Sequence, residues 1–98
     1  MNQNEARRDE IRQIYRYARL PDCKFTGAFQ RSEEVAISRW AAFEIIKVIK
    51  DNPDVPAKDT AGWFYNQMIH CMRCSNREKQ RDLFKLAADA AEEIINMI

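Results

Sequence analysis

The chain has 98 residues, 46% of them hydrophobic and 32% charged, with a formal net charge of +1. That length suits one domain able to bury a real core, at the lower end of the range where contacts between copies often add stability. The near-neutral balance excludes global electrostatic steering toward polyanions or membranes, and no run of about eighteen apolar residues could cross a bilayer.

Two glycines and three prolines leave little material for turns, so long helices are expected. Residues Met1 to Glu5 show neither the basic start nor the apolar stretch of an export signal, which places the chain in the cytoplasm by expectation. Cys23, Cys71 and Cys74 form an odd set, and reduced thiols are the expectation. Charge is slightly uneven: residues 1–31 hold seven Lys/Arg against four Asp/Glu, and the remainder is mildly acidic.

The spacing of Ile11, Ile14, Tyr15 and Ala18 predicts an amphipathic helix over residues 4–20, capped by Asn4 and stopped by Pro21. Residues 21–31 read as a loop pinned by Phe25 and Phe29. Ser32 is the expected N-cap of a second helix over 32–51, with Glu33 and Glu34 at the positive end of its dipole. That helix should be the central, most buried element, with Glu44, Lys47 and Asp51 as its main polar stripe. Asn52-Pro53-Asp54-Val55-Pro56 then reverses the chain.

A third helix is predicted over 57–74. Phe64, Met68, Cys71 and Met72, with Ala61 and Tyr65, fall on one side, and Trp63, Asn66, Gln67, His70, Arg73 and Cys74 fall on the other. Ser75 and Glu78 fit a capping box that opens a fourth helix over 76–98. The expected fold is an all-α, compact four-helix bundle. The short joint between the last two helices leaves a steep helix-turn-helix crossing open.

The fourth helix is apolar around most of its circumference, and the second is nearly so. Two such helices cannot both be central in a four-helix monomer, so one is expected to meet a partner. A homodimer through the fourth helix with help from the second, with Leu83, Phe84, Ile94, Ile95 and Ile98 at the interface, is the resulting expectation.

An arginine stripe offers a second, different possibility. Arg8, Arg12, Arg16 and Arg19 share about a quarter of the first helix's circumference over roughly 16 Å, so they could follow a phosphate backbone with Tyr15 or Tyr17 stacking beside them. The plainer reading is a solvated face with pairs such as Asp9 to Arg12.

His70, Cys71 and Cys74, with Cys23, are the candidate metal ligands. On a helix His70 and Cys74 share a face that Cys71 does not easily join, and a thiol pair at a helix C-terminus lacks the dipole that activates redox cysteines. Idle thiols are the expectation, without cofactor or metal. Carboxylates are plentiful at Glu33, Glu34, Asp82, Asp89, Glu92 and Glu93, but each reads as a surface residue. With no phosphate loop, His-Glu-x-x-His or Ser/His/Asp set, an enzyme is not expected.

The Asn52 to Pro56 turn, a helix with a cysteine near its end, a short cap, and a helix built on Ala87-Ala88-Asp89-Ala90-Ala91-Glu92-Glu93-Ile94-Ile95 together resemble short helical proteins of unknown function from Gram-positive bacteria and their mobile elements. The resemblance covers the last half of the chain. It implies a bacterial or phage source and brings no site residues.

Overall fold

The computed structural model describes residues 3–19 and 26–98. Four helices account for nearly all of them: α1 (Gln3–Arg19), α2 (Arg31–Asp51), α3 (Ala57–Cys74) and α4 (Glu78–Met97). No strand occurs among the described residues, and the fold is an all-α four-helix bundle measuring 44 × 26 × 18 Å. Leu20, Pro21, Cys23 and Phe25 lie outside the described residues.

The helix boundaries follow the expected breakers, while the caps differ. Asn4 lies inside α1. Gln30, not Ser32, occupies the N-cap of α2. Ser75 caps the end of α3 rather than opening α4: its hydroxyl donates to the Cys71 carbonyl at 2.7 Å, and Arg77 holds the N-cap of α4. A serine hydroxyl at a helix end can satisfy either orphan set, and here it bonds the i−4 carbonyl.

The turn between α2 and α3 is closed from both sides. The Asn52 side chain donates to the Val48 carbonyl at 2.8 Å, and Val55 N–H donates to the Asn52 carbonyl at 3.1 Å. Arg7 reaches across from α1 and donates to the carbonyls of Ile49, Asn52 and Val55, adding a charged donor to acceptors at the C-terminal end of α2 and in the turn that follows. At the other end of the same pair, Arg39 of α2 donates to the carbonyls of Ala18, at 2.7 Å, and Arg19, at 3.2 Å. Two arginines thus clasp α1 to α2 at both ends.

α3 and α4 form an antiparallel hairpin with more extensive packing than any other pair, which settles the steep helix-turn-helix alternative against it. Ala57 and Ala61 at the start of α3 share a core cluster with Ala91 and Ile94 near the end of α4, and Met68 shares a second cluster with Ala87 and Ala88. Alanines on α4 let the neighbouring backbones approach closely. α2 packs against all three other helices, and α1 hangs mainly on α2. The division expected for α3 holds at every position: Trp63, Asn66, Gln67, His70, Arg73 and Cys74 are exposed, and Ala61, Phe64, Tyr65, Met68, Cys71 and Met72 are buried or half-buried.

Ile94 is completely enclosed, in one cluster with Ile14, Ile45 and Ile49. Ile94→Ala should therefore lower the unfolding free energy by about 2–5 kcal/mol in denaturant titration, while leaving the oligomeric mass of the folded protein unchanged.

Candidate interaction surface

Much of the apolar surface of the fourth helix is covered by its own chain. Ile94 has no exposed surface; Phe84 packs half-buried against one core cluster, and Ile95 and Ile98 against the other. Its exposed positions are Glu78, Lys79, Gln80, Arg81, Lys85, Glu92, Asn96 and Met97, almost all polar. Of the five residues expected at an interface, only Leu83 helps line an open apolar groove. The reason is geometric: α2 takes one side of α4 and α3 takes another, so an apolar girdle that looks excessive in isolation is matched by two neighbours.

The uncovered apolar surface lies on α2 instead. Trp40 is 43% exposed and Phe43 is 48% exposed, on the side of the helix opposite buried Ser38, Ala42, Ile45 and Ile49. Ala36, Ile37, Trp40 and Leu83 line a shallow groove of about 340 Å³ whose walls are almost wholly apolar. The indole is fixed by a tilted contact with Phe64, centroids 5.8 Å apart, and the Phe43 ring by an edge contact with Tyr15 at 6.3 Å. Held this way, the aromatics lose little freedom on meeting a partner. Sequence periodicity missed them because α2 is apolar on both sides of its wheel, and only the small or branched residues of one side face the core.

The arginine row stands beside this surface. Arg8, Arg12, Arg16 and Arg19 are all exposed, and Arg12, Arg16 and Arg19 bracket Tyr15 in a shallow depression. Arg12 pairs with Asp9 at 3.4 Å on an open surface, as the spacing implied. Beyond Tyr15 lie Lys47 and Lys50, and the Lys50 ammonium donates to the Tyr15 hydroxyl at 3.0 Å while standing 5.3 Å from the ring centroid. Tyr17, the other stacking candidate, is half-buried against both core clusters.

The remaining sequence candidates separate in space. His70 Nε2 lies 3.7 Å from Cys74 Sγ on an exposed face, and Gln67 donates to Cys71 Sγ at the same distance elsewhere on the helix. Among the described residues no three His, Cys, Asp or Glu side chains converge on a point where a metal could bind. Cys23 lies outside the described residues.

Glu34 departs from its expected surface position and is completely buried. Its Oε1 accepts from both the backbone N–H and the hydroxyl of Thr26, each at 3.0 Å, and further N–H groups of Gly27 and Phe29 point at the carboxylate. Burial pushes its pKa upward, but these hydrogen bonds together outweigh it and hold the carboxyl below its ordinary value. The residue anchors the loop over 26–30 to α2, and Gly27, at φ 81°, supplies the left-handed turn that wraps the loop around it. Lys79 of α4 secures the same loop, donating to the Ala28 carbonyl at 3.3 Å above the Phe29 ring.

Because the folded-state pKa is depressed, Glu34 stabilises the fold fully above its unfolded pKa near 4.5 and loses that contribution as pH falls through the lower folded value. Glu34→Gln should melt earlier than the parent at neutral pH, and the gap should close as thermal scans are taken below about pH 4.5.

The chain matches no protein-family model, no curated protein and no solved structure. No helix of the described residues is long and apolar enough to cross a membrane.

Proposed function

We propose that this chain is a small protein-interaction and assembly module that self-associates, and that its docking surface is the outward face of α2 rather than α4. The observation that carries this reading is the exposure of Trp40, over a groove lined by Ala36, Ile37 and Leu83, and of Phe43 one turn on beside Tyr15, with both rings braced by a neighbouring aromatic. Large aromatics in pre-set positions are the residues that most often dominate binding. Burial of this apolar area supplies the driving force, at roughly 25 cal/mol per Å² removed from water. Binding, not catalysis, is the activity in this reading, in the bacterial cytoplasm and for a protein of bacterial or phage origin.

Light scattering at micromolar concentration should give close to twice the monomer mass. Trp40→Ser and Phe43→Ser should each shift the protein toward monomer while thermal unfolding stays cooperative, because neither side chain is enclosed by the core. A parent protein that stays monomeric at every concentration tested overturns the reading.

A second reading, a nucleic-acid-associated regulator, rests on Tyr15 standing between Arg12, Arg16 and Arg19 on one side and Lys47 and Lys50 on the other. Fluorescence anisotropy with mixed DNA and RNA oligonucleotides should then show affinity falling roughly tenfold or more between about 50 and about 200 mM salt. Arg16→Ala should flatten that salt slope. Absence of salt-sensitive binding removes this reading.

A further inference from the structure

Six exposed residues of α2 follow one another at alternating steps of three and four: Glu33, Ala36, Trp40, Phe43, Lys47 and Lys50. That is the spacing of a coiled-coil seam, in which about one side chain per helical turn is presented to a facing helix. The buried residues of α2, Glu34, Ser38, Ala41, Ala42, Ile45, Ile46 and Ile49, occupy the other side, so the seam faces outward over roughly 26 Å, flanked by Phe64 beside Trp40 and by Tyr15 beside Phe43 and Lys50.

Resting on the self-association reading above, we infer that the occupant of this seam is the α2 helix of a second copy, packed antiparallel about a twofold axis near residues 41 and 42. The charge order along the seam carries the orientation. An acid stands at the N-terminal end, apolar residues occupy the middle, and two cations stand at the C-terminal end. Parallel pairing would set Glu33 against Glu33 and Lys50 against Lys50, which is unfavourable at both ends. Antiparallel pairing sets Glu33 of each copy opposite Lys50 of the other, and Trp40 opposite Phe43 twice. Lys47 then lies over Ala36, whose small side chain leaves room for the aliphatic stem to pack while the ammonium reaches water.

The two central layers are aromatic pairs, which favour the offset or edge contacts that two crossing helices allow. The α1 cations Arg12, Arg16 and Arg19 flank the seam in both copies and oppose association, so an affinity on the order of micromolar is expected.

Sedimentation velocity over a concentration series tests this with E33K, with K50E, and with the two variants mixed in equal amounts. Each variant alone converts both end pairs to like charges and should dimerise roughly tenfold more weakly than the parent. The mixture restores opposite charges at both ends of a heterodimer, so its affinity should return to within about twofold of the parent. That recovery also shows that neither variant has lost its fold. A dimer that ignores both single changes, or a mixture that does not recover, overturns the antiparallel seam while leaving self-association standing. A parent that never dimerises removes both, and leaves the face to a different occupant such as an acidic amphipathic helix.

Discussion

The structure depends on α2 having to serve three neighbours at once. α1 lies on one flank, the α3–α4 hairpin on the other, and a helix has only so much circumference to offer. Ser38, Ala41, Ala42, Ile45 and Ile49 form the shared contact stripe, small or branched side chains that let the other helices come close. Once that stripe is spent on the core, whatever else α2 carries must face outward. It carries Trp40 and Phe43, and the open aromatic surface is a direct consequence.

The α1–α2 pair shows how charged residues serve a structural end in this chain. Arg7 and Arg39 are spent on backbone carbonyls at opposite ends of the pair, where the aligned peptide dipoles leave partial negative charge. Glu34 does the converse, receiving N–H groups from the loop over 26–30. All three hold connections rather than core layers, which suits a bundle in which glycine and proline are too few to make rigid turns by themselves. Arg8, Arg12, Arg16 and Arg19 face water instead, Arg12 paired there with Asp9, and the row is open to a different use from that of Arg7.

An exposed aromatic pair inside a row of alternating spacing has a different meaning from a stray surface tryptophan. Trp40 leans on Phe64 and Phe43 on Tyr15, so the surface is continuous with the core and moves with it. A partner meeting such a face encounters a preformed shape. The acidic cleft between α2 and α4, by contrast, has its Asp89 already matched by Lys85 at 3.1 Å on an open surface, above a floor that includes buried Ser38, Leu86 and Ala90.

Much of this was legible in the order of residues alone. Breakers at Pro53 and Pro56 and the lone joint around Ser75 set four helices and their limits, because helix termination is a local matter of missing donors and fixed dihedrals. The inward and outward sides of α3 were also readable, since only one of its sides is apolar. For α2 and α4 the same method had no purchase: both are apolar nearly all round, and periodicity cannot say which side meets a neighbour. Of the ring of alanines and isoleucines on α4, the hairpin and α2 enclose the alanines and Ile94 and leave Ile95 and Ile98 half-buried, while Trp40 and Phe43 passed for core. Glu34 went unseen for a related reason, since its burial comes from a loop eight residues earlier in the chain folding over it. Local physics determined where helices start and stop; which faces are hidden was decided only by how four helices share a limited contact area.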